Sequence, residues 1–131
     1  MREHGGSVVL FASAAATIGI QNHEAIAAAK AGIVGLAKSA AATYAGSNLR
    51  FNVISPGLVK TELTQRIWNS PMAAAASQEM HALGRFEEAE QIVSLAAWLI
   101  DPANHWMTGQ VIGLDGGLAS VLPVRKASRP V

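Results

Sequence analysis

The sequence predicts an α/β fold built on a parallel sheet, and three observations support that prediction. Short apolar segments rich in β-branched residues indicate strands at residues 7–12, 49–54 and 111–114. Longer segments with apolar residues at helical spacing indicate helices at 23–45 and 87–100. Strands that alternate with helices in this order are typical of parallel strands joined by right-handed crossovers.

Length and composition are those of one folded domain. The chain has 131 residues, of which 50% are hydrophobic, and a formal net charge of +1. A charge so close to zero argues against nucleic-acid binding, and the lack of cysteine excludes disulfides and thiolate metal sites. No metal-ligand spacing links the histidines, which are expected at surface or loop positions: His4, His23, His81 and His105.

No targeting or membrane segment is expected from the sequence. The apolar run near the first residues is too short for a secretory signal, and no uninterrupted apolar stretch approaches the roughly eighteen residues of a membrane span. We therefore expect a cytoplasmic protein with no membrane or nucleic-acid partner.

The first strand and the helix after it follow from continuous and periodic patterns. Residues 7–12 form an unbroken apolar run, which predicts burial on both faces, and Ser13 ends it. Asn22 is the expected N-cap of the helix at 23–45. The residues expected to face the core recur at helical spacing: Ile26, Ala29, Ile33, Leu36 and Ala40.

The second strand, 49–54, is expected to end at the turn formed by Ser55, Pro56 and Gly57. Proline cannot donate to a ladder, and glycine permits an unusual dihedral. The mixed segment that follows contains two short predicted helices, at 61–68 and 73–81.

The helix at 87–100 has an acidic first turn, where the helix dipole favours anions. That turn contains Glu87, Glu88 and Glu90. Two apolar lines follow, Ile92, Ala96 and Leu99 in one and Val93, Ala97 and Ile100 in the other. The last strand closes at 115–117. We predict one domain at 1–117 and a loose tail at 118–131 that contains Arg125, Lys126 and Arg129.

One constellation of residues carries chemistry. Ser13 follows the first strand, Ile26 lies thirteen residues later, and Lys30 lies about one helical turn after Ile26. This arrangement resembles the catalytic motif of the short-chain dehydrogenase/reductase family, in which a tyrosine precedes a lysine by four residues and follows a serine by about thirteen. In this sequence an isoleucine stands at the tyrosine position.

Further motifs in the same order extend the resemblance from about Gly5 to Gly117. They are segment 52–57 with Thr61, segment 83–86 before the acidic helix, and segment 108–111 leading to 115–117. The resemblance implies the C-terminal part of a Rossmann-like, doubly wound parallel sheet, namely strands five to seven with their flanking helices. The glycine-rich turn that seats the cofactor pyrophosphate in such proteins has no counterpart here, so we expect either a truncated or a naturally short form.

The resemblance also implies roles for individual residues. Ser13 would bind the substrate oxygen, and Lys30 would contact the nicotinamide ribose. In family members the lysine also lowers the pKa of the tyrosine, but with Ile26 at that position only the ribose role remains. Pro56, Gly57 and Thr61 correspond to the segment that holds the nicotinamide carboxamide. The implied cofactor is NAD or NADP, and binding by this chain alone is not expected. The alternatives are structural: a strand-ending serine, a solvent-exposed lysine and an ordinary turn.

Ile26 removes the proton donor from this motif. A hydrocarbon neither gives nor takes a proton, and general acid–base catalysis contributes about 10²–10⁴-fold, so the family's reaction is expected to be slow. His23 is a candidate substitute because imidazole titrates near neutrality, and Glu24 is a second. The alternative is that both are exposed polar residues at the start of a helix. The only tyrosine, Tyr44, lies about five helical turns away and cannot replace it. The alternative role of Ile26 is packing within an apolar helix face.

Two functions follow from the resemblance. The first is an NAD(P)-dependent oxidoreductase acting on a small-molecule alcohol/carbonyl pair, inactive as this chain. The second is a non-catalytic relative or fragment that serves as an oligomerisation module, because the helices at 23–45 and 87–100 resemble the family's subunit interfaces. A three-stranded sheet also leaves the first strand as an open edge, which predicts a homo-oligomer or aggregation.

Overall fold

The computed structural model describes Met1 and residues 3–123, which form a three-stranded parallel sheet. The strands are β1 (Gly6–Phe11), β2 (Leu49–Pro56) and β3 (Val111–Leu114), in the order β1-β2-β3. The predicted α/β class with a parallel sheet is confirmed, and β3 has the predicted bounds. β2 is the central strand, because it pairs with both of the others.

β2 continues two residues beyond its predicted end at Ile54. Pro56 pairs with Leu114, and the Gly57 N–H then donates to the Leu114 carbonyl at 3.0 Å. The prediction was wrong because donors toward β3 come from alternate residues, including Val53 and Gly57. A proline between those positions removes no hydrogen bond to β3.

Helices cover both faces of the sheet. The described helices are α1 (Glu24–Tyr44), α2 (Gln65–Trp68), α3 (Pro71–Met80) and α4 (Ala89–Ile100), with 3₁₀ turns at Ala14–Ala16, Ala45–Ser47 and Pro102–Asn104. Alternate side chains of β2 point to opposite faces. Val53 packs with Ala37 of α1, whereas Arg50 donates to the Leu99 carbonyl of α4 at 3.0 Å.

The core is concentrated on β2, and β1 lies at its margin. The largest fully buried side chains are Ile54, Leu99, Val53 and Asn52. The side chains of β1 are at most partly buried, and Phe11 is 43% exposed. The prediction that β1 is buried on both faces is therefore wrong for this chain, because β1 forms the edge of the sheet.

α1 packs a different face against the sheet from the one predicted. Val34, Ala37 and Ala41 face the core, whereas Ile26 is 45% exposed and Leu36 is 59% exposed. The prediction was wrong because an alanine-rich helix has more than one apolar face, so periodicity alone does not choose between them. On the predicted face Ile26, Ala29 and Leu36 are exposed, whereas Ile33 and Ala40 are partly buried.

Both long helices begin later than predicted. Asn22 has a φ of 62° and lies before His23, which occupies the N-cap position of α1, so Asn22 is not the cap. α4 begins after Glu88, whose side chain forms a capping box with Gln91. Glu87 thus precedes α4, and its backbone N–H donates to the Leu58 carbonyl at 3.1 Å.

The two predicted apolar lines of α4 have different environments. Leu99, at the end of the first line, is fully buried against the sheet. Val93 and Ile100 of the second line are 64% and 55% exposed. α4 therefore has one core face and one unpaired apolar face in this chain.

Only residues 118–123 of the predicted tail are described. Leu118 is buried, and the Ala119 N–H donates to Asp115 Oδ2 at 3.0 Å. These six residues begin on the turn that closes β3. Arg125, Lys126 and Arg129 lie outside the described residues, and the domain division at 117/118 stays a prediction.

One helical segment is long and apolar enough to cross a membrane by length and composition alone. This segment, Glu24–Ser47, reaches a mean hydropathy of 1.3. The expectation concerned uninterrupted apolar stretches, and Lys30 and Lys38 interrupt this helix. Its packing on β2 through Ala37 and Ala41 gives its apolar character a role within the fold.

Candidate functional site

The candidate site lies at the carboxyl ends of β1 and β2. Phe11 pairs with Ile54, and the Ala12 N–H donates to the Ile54 carbonyl at 2.9 Å. Ser13 and Pro56 each lie two residues beyond that pair. Because β1 and β2 are parallel, the segments that follow them leave the sheet at the same end, the carboxyl end of the strands.

Ser13 begins the short turn that follows β1. Its Oγ accepts a hydrogen bond from the Ala15 N–H at 3.2 Å, so the side chain caps the 3₁₀ turn. A hydroxyl that accepts from the backbone can still donate its own proton. Ser13 thus has the structural role of a strand-ending serine, and its hydroxyl proton is still free to donate at the carboxyl end of the sheet.

Lys30 reaches the same edge from α1. Its Nζ donates to the Phe11 carbonyl at 3.0 Å, which ties the side chain to the last residue of β1. An ammonium group has three N–H donors, so this bond leaves two for other acceptors. Lys30 is therefore held beside the strand that leads into Ser13, whereas Lys38 makes no hydrogen bond or ion pair within the described part of the chain.

Ile26 lies one turn before Lys30 on the same side of α1. Its side chain is 45% exposed, so the idea that it fills a gap by core-like packing is wrong for this chain. No proton-transferring atom is present at this position.

His23, the candidate substitute for the proton donor, hydrogen-bonds to the backbone just before α1. Its Nδ1 lies 2.8 Å from the Gln21 carbonyl oxygen, which fixes the ring at the start of α1 and makes Nδ1 the donor. The other nitrogen, Nε2, makes no hydrogen bond in the described part of the chain. Glu24 is exposed at the first position of α1.

Gly57 is required by crowding and not by an unusual dihedral. Its φ is not positive, but an added Cβ would lie 2.6 Å from His81 Nε2 and 3.1 Å from Asp115 Cα. The interpretation of Gly57 as a residue with a special backbone angle is therefore wrong. The glycine allows the loop after β2 to pass closely against two other segments.

Thr61 lies on an exposed turn beyond Gly57. Its Oγ1 is 3.2 Å from Thr64 Oγ1, and the Thr64 hydroxyl donates to the Val59 carbonyl at 2.6 Å. The Thr61 hydroxyl can therefore donate to Thr64 while its remaining lone pair faces solvent. Pro56, Gly57 and Thr61 follow one another along this loop.

His81 is a structural residue that sequence reasoning missed. His81 lies in a loop, as the expectation of a surface or loop histidine allows, but it is buried and not at the surface. Its Nδ1 lies 2.7 Å from the Ser77 carbonyl oxygen, and its Nε2 accepts from the Leu58 N–H at 3.1 Å. His81 thereby joins α3 to the loop after β2, a contact that no local pattern in the sequence signals.

A small cavity beside His81 contains two carboxyl groups. It has a volume of about 230 Å³, and Glu87 and Asp115 are among its lining residues. Burial, and secondarily the charge of Asp115, raise the pKa of the Glu87 carboxyl above 4.5. Glu87 Oε2 is shielded from solvent and has no hydrogen-bond partner in the described chain.

Both carboxylate oxygens of Asp115 already accept hydrogen bonds from the turn that contains it. Its Oδ1 accepts from the Gly117 N–H at 2.9 Å, and its Oδ2 accepts from the Ala119 N–H at 3.0 Å. No group of three potential metal-ligating side chains occurs within the described residues. The acidic pair is therefore a feature of loop packing beside the candidate site.

A family model supports the motif-based comparison. The model described as "Enoyl-(Acyl carrier protein) reductase" matches residues 1–119 of this chain.

Curated relatives are similar over most of the chain. The 3-oxoacyl-[acyl-carrier-protein] reductase FabG of Thermotoga maritima is 34% identical over 118 residues, which cover 90% of this chain and 47% of that protein. D-threitol dehydrogenase of Mycolicibacterium smegmatis is 37% identical over 113 residues, which cover 86% of this chain and 43% of that protein. The chain thus spans about half the length of the curated relatives that it matches.

Solved structures agree with the sheet and helix arrangement. A short-chain type dehydrogenase/reductase from Mycobacterium ulcerans superimposes with a TM-score of 0.86 at 33% identity, covering 90% of this chain and 43% of that one. The Pseudomonas aeruginosa RhlG/NADP active-site complex superimposes with a TM-score of 0.83 at 30% identity, covering 89% of this chain and 46% of that one.

Proposed function

Because the chain belongs to the short-chain dehydrogenase/reductase family, we propose that it carries the substrate-side half of an NAD(P)-dependent oxidoreductase site for an alcohol/carbonyl pair. In this half-site Ile26 occupies the position of the proton donor. The observation that supports the proposal most is the 3.0 Å bond from Lys30 Nζ to Phe11, which holds the lysine beside the strand that ends at Ser13.

Ser13 and Lys30 have complementary roles in the proposed site. The Ser13 hydroxyl donates to the oxygen of a carbonyl substrate or accepts from that of an alcohol, so it serves either direction of the reaction. Lys30 uses its two remaining N–H groups to bind neighbouring hydroxyls and its charge to stabilise negative charge that develops on oxygen.

The groups on this chain fit the nicotinamide end of a dinucleotide. The free donors of Lys30 suit ribose hydroxyls, and the exposed Thr61 hydroxyl with the backbone around Pro56 and Gly57 suits an uncharged amide. NAD or NADP supplies the hydride when bound. The chain's own residues orient the substrate oxygen and bind the ribose. Ile26, at the position of the proton donor, cannot transfer a proton.

The lack of a proton donor at position 26 determines the turnover that we expect from this chain. His23, the N-cap residue of α1, bonds to the Gln21 carbonyl through Nδ1, which leaves only Nε2 as an alternative to the missing proton donor. We propose that this chain binds family ligands weakly and turns them over slowly or not at all. We also propose a soluble, cytoplasmic protein without a nucleic-acid partner, in keeping with its balanced charge.

The second candidate function is association. Two open apolar surfaces favour it: one on α1 includes Leu36, and one on α4 includes Val93 and Ile100. A non-catalytic family relative would use these surfaces to pair with another copy of itself.

Titration with reduced nicotinamide mononucleotide tests the proposed half-site, because this probe contains only the nicotinamide and ribose end of the cofactor. We expect weak, saturable binding by NMR that shifts the amide signals of Gly57 and Thr61. Lys30→Met should abolish the binding, and Lys38→Met, the matched change on the same helix, should leave it intact. Absence of binding by the unaltered chain would reject the half-site and leave association as the function.

A further inference from the structure

A narrow cleft lies at the amino ends of β1 and β2, at the opposite end of the sheet from the candidate site. It has a volume of about 230 Å³ and is lined by the turn before β1, by Asn48 and Arg50 at the start of β2, and by the segment after α4 that includes His105. An adjoining cleft of about 240 Å³ shares those three residues. Since β2 has eight residues, its two ends are about 23 Å apart.

Arg50 brings a buried positive charge to this cleft. The residue is 8% exposed, and its guanidinium donates to the Met107 and Leu99 carbonyls, each at 3.0 Å. The Leu99 carbonyl lies near the end of α4, where the helix dipole favours cations, but neither carbonyl carries a full negative charge. No carboxylate of the described residues forms an ion pair with Arg50. Buried charges are usually paired, so the charge of Arg50 indicates a place for an anion.

Arg50 also retains a donor for such an anion. A guanidinium has five N–H groups, and the bonds to the two carbonyls use two of them. The Nε atom makes no hydrogen bond in the described chain. It is not enclosed by protein either, because Glu87 Oε2 is the only solvent-shielded side-chain nitrogen or oxygen without a partner among the described residues. Solvent, and therefore an anion, can reach the Arg50 Nε–H.

Two further side chains offer polar groups beside Arg50. Asn48 precedes β2 with a φ of 54°, and its amide makes no hydrogen bond within the part of the chain that the structure describes. His105 follows the 3₁₀ turn Pro102–Asn104, and its imidazole is also without a hydrogen bond there. The cleft thus combines a guanidinium, an amide and an imidazole from three separate segments.

The acidic residues near the cleft do not neutralise Arg50. Glu3 Oε2 lies 3.9 Å from His4 Nε2, and both of these side chains are largely exposed. The Asp101 carboxylate accepts from the Ala103 N–H at 2.8 Å, within its own turn. Donors on three sides suit a phosphate, which has at least three acceptor oxygens, better than a carboxylate, which has two in one plane.

We propose that this cleft binds a small phosphate anion, either free or as a phosphate monoester, whose oxygens accept from Arg50, Asn48 and His105. The site lies at the opposite end of the sheet from the proposed half-site, so it depends on neither the cofactor nor the residue at position 26.

Inorganic phosphate is the first probe, titrated into the whole chain in about 0.15 M KCl, which screens the attraction between exposed charges. Binding is measured by NMR through the Arg50 Nε–H signal and the backbone amides of the cleft. Asn48→Gly removes the amide side chain and keeps the backbone, because glycine adopts a positive φ readily. Asn22→Gly, at a φ of 62° outside the cleft, is the matched control.

We expect saturable phosphate binding that moves the Arg50 Nε–H signal, that Asn48→Gly weakens by about tenfold, and that Asn22→Gly leaves unchanged. Methyl phosphate distinguishes the two sources of the anion: tighter binding than inorganic phosphate indicates a monoester, and weaker binding indicates the free ion. The proposal is overturned if phosphate does not move the Arg50 signal, if the two glycine variants bind phosphate equally well, or if acetate binds as tightly as phosphate.

Discussion

At the scale of single residues, the carboxyl group of Glu87 has a definite energetic consequence. Its pKa is raised in the folded protein, mainly by burial, so the folded state binds this proton more tightly than the unfolded state does. The resulting stabilisation is present below pH 4.5 and is lost as the pH rises through the raised value. At neutral pH the charged form is therefore a cost to folding.

Glu87→Gln should remove that cost. We expect the free energy of unfolding at pH 7 to rise by less than about 1 kcal/mol, because the group is only partly buried, with no gain at pH 4. Urea unfolding at both pH values measures the difference, and the exposed Glu90→Gln serves as control. An equal effect of Glu87→Gln at both pH values would contradict the titration account.

Gly57→Ala tests the crowding at the end of β2. The added Cβ would lie 2.6 Å from His81 Nε2, and 3.1 Å from backbone at Asp115 that cannot move freely. Overpacking of this kind costs about 1–3 kcal/mol of stability. Gly46→Ala, where nothing lies within 4 Å of a Cβ, is the matched control. Indistinguishable urea midpoints for the two variants would show that the loop accommodates the methyl group.

The sequence predicts site residues only where their spacing is local or their motif is known. Ser13, Ile26 and Lys30 are identified by their separations along the chain, and the structure connects Lys30 to the end of β1. His81 is different, because its partner Leu58 lies 23 residues away and the contact depends on how α3 packs. Whether the predicted residues perform the proposed roles stays a prediction.

At the scale of elements, the start of α4 depends on a capping box. The predicted helix at 87–100 included Glu88, which in the structure is the N-cap residue. Glu88 caps the first turn, and Gln91 Oε1 accepts from the Glu88 N–H at 3.1 Å. Glu88 also pairs with Lys60 at 3.0 Å, but that ion pair is substantially exposed and contributes little.

Glu88→Ala is expected to cost about 1 kcal/mol in the free energy of unfolding, the usual effect of losing an N-cap. Glu90→Ala, at the second residue of the same helix, should change stability by less than about 0.5 kcal/mol. Lys60→Met removes the ion pair and keeps the cap, so its effect separates the two contributions. If Lys60→Met is as costly as Glu88→Ala, the ion pair and not the cap stabilises this segment.

The elements differ in how far the sequence determines them. β3 has its predicted bounds because a short β-branched run is enclosed by turn-forming residues. The buried face of α1 was wrong because alanines surround that helix, and only packing against Val53 selects Ala37 over Ile26 and Leu36. Helix existence is thus a local property, whereas helix orientation depends on the rest of the chain.

At the scale of the whole molecule, the main feature is the unpaired strand edge and the apolar surface that the rest of the described chain leaves exposed. β1 pairs with β2 alone, so its outer backbone groups have no strand partner in the described chain. Exposed apolar residues on α1 and α4 add to this edge. Unpaired edges and apolar patches both favour self-association.

We expect light scattering after size-exclusion chromatography to give a mass above that of the 13.6 kDa chain. Leu36→Glu should shift the mass toward the monomer, because it places a charge on the open face of α1. Ala42→Glu, on another exposed side of the same helix, should not. A folded, monodisperse monomer formed by the unaltered chain would contradict this account.

We propose that this chain retains the short-chain dehydrogenase/reductase scaffold, with Ser13 and Lys30 at the positions of the family motif, and lacks only the proton donor at position 26 within that motif. The most direct measurement is NADPH-dependent carbonyl reduction by a chimera that joins the N-terminal half of an active relative to this chain. We predict that Ile26→Tyr raises the turnover of the chimera by about 10²-fold or more, with NADPH affinity unchanged. Equal turnover with isoleucine and tyrosine would show that position 26 does not limit the chemistry.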